Sequence, residues 1–177
     1  IPIGKPIQYE KSTEPFVDPY FLGIWLGDGD TNHISITNED NQITDYLYKF
    51  AEQHGLIVKK YNNIYKLTTG QVGGVMKGRN SVLQTFKDKN LIGNKHIPKE
   101  CYTWSIERRR DLLKGIMDAD GTIDTGGAIS ITLANRTLIK DIQRLVDELG
   151  IHNKLTYSKG NYLKKDGTYN DMYHLRL

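Results

Sequence analysis

Apolar residues fall along this chain in two rhythms. Ile43, Leu47, Phe50 and Ala51 recur at helical spacing, with Asp40 or Asn41 to open the helix and Gly55 to stop it. Between His33 and Thr37 the pattern alternates instead. Ile34 and Ile36 face one way, and His33, Ser35 and Thr37 are left on a free polar face. Leu56 to Lys60 and Ile64 to Thr68 read as strands joined at Asn62-Asn63, and Arg79 to Lys89 as a further helix. The densest apolar runs are FLGIWLGDG, Phe21 to Gly29, and LLKGIMDADG, Leu112 to Gly121. Each predicts a helix halted by an acid and a glycine, the first capped by Asp18 ahead of Pro19, the second by Ser105.

The second half repeats the first. Gly23 falls on Gly115, Gly27 on Ala119 and Asp28 on Asp120, a constant offset of 92 residues. ISIT at Ile34 to Thr37 recurs at Ile129 to Thr132, now 95 apart, so a hairpin turn in the second copy holds three more residues. At that offset Ile43, Leu47, Phe50, Ala51, Gly55 and Leu56 match Leu138, Ile142, Leu145, Val146, Gly150 and Ile151 without a gap. The second copy therefore predicts a strand at Ala128 to Thr132, a helix from Asn135 to Leu149, and strands near Lys154 to Ser158 and Met172 to Leu177. The expected fold is α+β, two pseudo-twofold αββαββ(α) half-domains sharing a core. Residues 1–17 read as a lead-in linker, 18–92 as the first half and 93–177 as the second. The second half stops where the counterpart of the Arg79 to Lys89 helix is expected, the mark of a trimmed fragment.

Composition narrows the class. With 177 residues, 38% of them hydrophobic and 25% charged, the chain suffices for one sizeable core. Its apolar runs are shorter than a membrane span. One cysteine, Cys101, excludes an internal disulfide, and no Cys/His spacing suits zinc. These features fit a cytoplasmic protein, or one residing wherever its partner does. Net charge is only +3, yet Lys59, Lys60, Lys66, Lys77, Arg79 and Lys87 follow one another with no acid between Leu56 and Lys87. Lys154, Lys159, Lys164, Lys165 and Arg176 occupy the corresponding stretch of the second half. The charge forms either one continuous basic face or a solvated surface.

Chemistry enters through the two Asp-Gly endings. A carboxylate at a helix C-terminus meets the negative end of the dipole, at a cost of about 0.3–1 kcal/mol. Gly23 with Gly27, and Gly115 with Ala119, put small residues on one face of each helix, so the backbones can touch and bring Asp28 beside Asp120. Paired carboxylates either raise one another's pKa or recruit a divalent cation. Beside a basic face, such a cation would act on a phosphodiester. Taken singly, each Asp-Gly is also an ordinary helix stop.

The two segments resemble the signature motifs of double-motif, monomeric LAGLIDADG homing endonucleases, as found in intein endonuclease domains. The second is similar at Gly115, Asp118, Ala119, Asp120 and Gly121, while Leu26 stands in the first where the second has Asp118. The resemblance implies a site-specific, metal-dependent hydrolase cutting both strands of a long double-stranded DNA target. Asp28 and Asp120 would hold magnesium, with manganese the other candidate, helped by the carbonyls of Gly27 and Ala119. Four-stranded antiparallel sheets would form a saddle over the major groove. The groove-facing residues would be His33, Ser35, Thr37, Lys66 and Thr68, and Ser130, Thr132, Thr156, Ser158, His174 and Arg176.

Lys95, in KHIP ahead of the second motif, is carried over as a catalytic lysine. No partner lysine is identifiable after the second repeat. Asp40 reads as a helix cap, Trp25 and Trp104 as packing residues, and Arg108 to Arg110 as solvated. Splicing needs a Cys or Ser at the first residue and a terminal His-Asn pair, whereas the ends here are Ile1 and Leu177. The alternatives are a catalytically impaired LAGLIDADG nucleic-acid-binding protein or RNA maturase, and a structural domain whose Asp-Gly pairs only stop helices.

Overall fold

The computed structural model describes residues 4–72, 75–76, 78–163 and 167–177. Two helices form its spine. In α1 (Pro19–Asp28) the Asp18 carboxylate accepts from Phe21 N at 3.0 Å, and Pro19 takes the first position. In α4 (Ile106–Asp120) Ser105 caps in the same way. The helices touch through backbone because glycine permits it. A Cβ built on Gly23 would lie 2.9 Å from Gly115 Cα, and one on Gly27 would lie 2.6 Å from Ala119 Cβ, both closer than atoms can approach.

Every residue from Phe21 to Leu26 is buried, as an all-round apolar helix must be. On the side away from α4, Phe21 stacks on Phe50 with ring centroids 3.8 Å apart and Trp25 meets Phe86 edge-on at 4.8 Å. Phe50 belongs to α2 (Asn41–Gln53), capped by Asp40, and Phe86 to α3 (Ser81–Asp88). The second-half counterpart of α2 is α5 (Arg136–Glu148), whose Leu138, Ile142, Leu145 and Val146 are buried. One apolar core runs through both halves.

Each half adds an antiparallel sheet. The first is ordered β1-β3-β2, from β1 (Ser35–Thr37), β2 (Ile57–Tyr61) and β3 (Ile64–Thr68). After it, β4 (Gln71–Val72) and β5 (Val75–Met76) form a separate pair. The second sheet is ordered β6-β7-β9-β8, from β6 (Gly121–Ile123), β7 (Ile129–Leu133), β8 (Lys154–Leu163) and β9 (Tyr169–Arg176).

Two expectations are corrected by these elements. The first sheet has three strands rather than four, with a single Gly29–Ile36 bridge where the second has β6. Its turn closes too early for more: Asp30 N bonds Ser35 O at 2.8 Å while the Asp30 carboxylate takes Asn32 N at 2.7 Å. The three additional residues of the second copy carry its turn out to Asp124–Gly127, which leaves Gly121–Ile123 free to pair as β6.

Arg109, expected to be solvated, is fully buried. Its guanidinium donates to the Trp104 and Ile7 carbonyls, lies 3.6 Å from the Glu148 carboxylate and covers the Tyr9 ring. The lead-in segment is thereby fastened to the second half. Ile7 N bonds Glu148 O at 2.8 Å, Thr13 bonds Thr103, and Glu14 pairs with Arg108 at 2.6 Å.

Candidate functional site

The contact of α1 with α4 sets the site at their C-terminal ends, where Asp28 and Asp120 are both half-buried. Lys95 approaches from the segment between the halves. Its ammonium donates to the carbonyls of Leu26 at 3.1 Å and Gly27 at 2.9 Å and lies 5.4 Å from the Trp25 ring centre. Lys95 is held in turn through its own carbonyl, which accepts from Asn135 at 3.2 Å, and through Ile97 N, which donates to Asp141 at 3.0 Å. Asn38 donates to Asp28 Oδ2 at 2.6 Å.

Three charges in a partly desolvated space cannot all be comfortable. Burial raises the pKa of Asp28; the Asn38 hydrogen bond lowers it, Asp120 raises it further and Lys95 lowers it. Burial likewise raises Asp120, with Lys95 opposing. Lys95 is lowered by burial and held up by Asp120, Asp28 and Asp30. Two carboxylates against one ammonium leave an excess of negative charge, which a divalent cation would neutralise. Among the described residues no three His, Cys, Asp or Glu side chains converge. A cation would therefore complete its shell from backbone carbonyls, water or a phosphate oxygen. Of the two carbonyls that the resemblance implies for this role, that of Gly27 already accepts from Lys95 at 2.9 Å.

Strand register gathers the remaining candidates on two open faces. In the second sheet Ser130 and Arg176 are cross-strand partners, Thr132 and Thr156 flank His174, and Ser158 lies opposite Met172. His174 is fixed by Thr132 at 2.9 Å and Ser158 at 2.7 Å, and Arg176 projects with 67% of its side chain exposed. In the first sheet Ser35 faces Lys66, which also faces Lys59, Thr37 faces Ile64, and Thr68 faces Ile57. Ser35 is buried, only 6% exposed, and so is not free as expected. His33 precedes the sheet, bonded to Asp30 at 3.1 Å, with its carbonyl taken by Trp25 Nε1.

Sequence reasoning missed Asn38, and named Lys59 only as part of the basic run. A signal for Asn38 existed. It directly follows the repeated ISIT, where the second copy has Leu133, so the repeat breaks at a position that hydrogen-bonds the acid. Glu39, next to Asn38, turns away from the acids and accepts weakly from Asn63 at 3.5 Å.

Residues 107–177, containing the second motif, match the family described as LAGLIDADG-like domain. The chain is 34% identical over 137 residues to the replicative DNA helicase DnaB of Mycobacterium intracellulare, covering 77% of this chain and 20% of that protein. It is 26% identical over 136 residues to the replication factor C small subunit of Pyrococcus horikoshii, covering 77% of this chain and 15% of the relative. A third likeness, 27% over 143 residues and 16% of the relative, is to an iron-sulfur cluster assembly SufBD family protein of Mycobacterium leprae. The chain thus spans a fifth or less of the curated relatives it matches. Among solved structures, the homing endonuclease I-DmoI in complex with DNA and Mn superposes with a TM-score of 0.57 at 16% identity, over 90% of this chain and 87% of that one. I-DmoI with DNA and Ca gives 0.52 at the same identity, over 90% and 81%. The chain has the α+β fold of I-DmoI. Among the described residues no helix is long and apolar enough to cross a membrane.

Proposed function

We propose that this chain is a LAGLIDADG homing endonuclease domain of the intein-borne type, a monomer that hydrolyses both strands of a specific double-stranded DNA target with a divalent metal, magnesium or manganese. The observation that carries the reading is the Asp28 and Asp120 pair at the ends of two helices in backbone contact, beside sheets whose open faces carry Lys, Arg, Ser and Thr. A bound divalent ion would supply Lewis-acid stabilisation of the phosphate and an activated water. Asp28, Asp120 and the Ala119 carbonyl would hold it, with Gly27 contributing where Lys95 withdraws. Asn38 would orient the Asp28 carboxylate by donating to its Oδ2 at 2.6 Å. Lys95 would place an ammonium against the pentavalent phosphate. The sheets' lysines and Arg176 would meet phosphates and base edges.

The intein assignment draws support from the three relatives. A helicase, a replication factor subunit and an iron-sulfur assembly protein each contain a stretch similar to this chain. A module inserted into unrelated hosts accounts for that distribution better than shared function does. One observation favours the alternative of an impaired nucleic-acid-binding protein: Lys95 occupies the Gly27 carbonyl, an oxygen expected for metal. Incubating the protein with a plasmid library of random inserts separates the two. Cutting in magnesium that stops in EDTA supports the endonuclease, and salt-sensitive binding without cutting supports the alternative.

A further inference from the structure

The open faces of the two sheets differ in a way their shared ancestry does not require. In the first, Ile57 is 49% exposed, Tyr61 58% and Ile64 42%. All three share the face of Lys59 and Lys66, since Tyr61 pairs with Ile64, Lys59 with Lys66 and Ile57 with Thr68. The second sheet reverses this arrangement. Its exposed Ile123, Ile129 and Tyr157 have the parity of Ile131 and Leu175, the core-facing set, and its open face carries Ser130, Thr132, His174 and Arg176.

Isoleucines exposed at the first residues of β2 and β3, with Lys59 and Lys66 between them on the same face, suit a partner that offers negative charge and apolar groups at short intervals. Successive residues on one strand face lie about 6.8 Å apart, close to two base-pair steps. At a base edge in the major groove the apolar group is the C5-methyl of thymine. Against guanine, cytosine or adenine, an isoleucine would cover donors or acceptors and leave them unpaired.

Resting on the nuclease reading, we infer that the two halves read DNA by different chemistry: the first sheet selects thymines through methyl contacts of Ile57 and Ile64, and the second selects by hydrogen bonds. The lysines between the isoleucines hold the phosphates and set no sequence. The first half-site is then rich in thymine, and its recognition depends on the methyl group rather than on pairing edges.

The test begins with duplexes selected from a randomised pool in EDTA, where binding is read without cutting. Resynthesis with deoxyuridine for thymine in one half at a time removes methyls and keeps every hydrogen bond. Affinity is expected to fall about fourfold per methyl contact in one half, and to change by less than twofold in the other. In Ile57→Ser/Ile64→Ser, whose side chains carry no methyl to meet that of thymine, thymine and deoxyuridine duplexes are expected to bind equally. Selected duplexes that bind regardless of deoxyuridine in either half, or a deoxyuridine effect that survives in the double variant, overturn the inference and leave the nuclease reading standing. Failure to select any duplex overturns both.

Discussion

Asp120 holds the least compensated charge of the site. It is half-buried with Lys95 as its one opposing influence, whereas Asp28 also has Asn38. Because folding raises the pKa of both acids above their ordinary values near 4, the folded state binds protons more readily than the unfolded chain. The associated stability is therefore present at low pH and is lost as pH rises through the raised folded values. Without metal, Asp120→Asn is expected to raise Tm at neutral pH by roughly 2–4 °C, and the advantage over wild type to shrink as pH falls toward 4. Magnesium should raise the wild-type Tm and leave the variant unmoved. Thermal melts across pH, in EDTA and in magnesium, check this; a variant less stable than wild type at neutral pH in EDTA would show that the carboxylate is no electrostatic burden.

At the scale of elements, the contact between α1 and α4 decides where the acids sit. Gly23 and Gly115 meet at backbone distance, so a methyl at either position must push the helices apart. Gly23→Ala is expected to cost about 1–3 kcal/mol in stability and to reduce cutting more than DNA affinity, because the acids separate while the sheet faces remain. Denaturant melts and binding measured on the same preparation test it. A stability cost with unchanged cutting would uncouple the helix contact from the site.

Much of this level was legible in advance, for local reasons. Caps at Asp18 and Ser105, the helical spacing of α2 and α5, and the alternation that puts Thr132, Ser130, His174 and Arg176 on one face are written within a few residues of each other. Other features were decided by distant partners. Arg109 sits in a basic triplet, and nothing nearby announces that Ile7, Tyr9 and Glu148 close over it. The loss of a strand in the first sheet turns on a side-chain bond from Asp30 that closes the loop early. Ser35 is buried although its pairing puts it on the face of Lys66, which its alternation alone does not announce. Asn38 was visible only as a mismatch in the repeat.

For the molecule as a whole, two half-domains of one pattern share a core but are unequal at their working surfaces. The first has Lys95 on its motif carbonyls, Asn38 on its acid and isoleucines on its open face. The second has an exposed Asp118 held by Tyr20 at 2.7 Å, Leu133 in place of Asn38, and a hydrogen-bonding face. The proposed nuclease would be a pseudo-symmetric frame carrying two different half-reactions, both dependent on the acid pair. Single-turnover cleavage of a selected duplex, labelled separately on each strand and followed against magnesium concentration, tests this most directly. Wild type is predicted to cut both strands at unequal rates, and Asp28→Asn and Asp120→Asn each to lose magnesium-dependent cutting while keeping affinity within about threefold. Cutting at the wild-type rate by the Asp28→Asn/Asp120→Asn double variant would contradict the account.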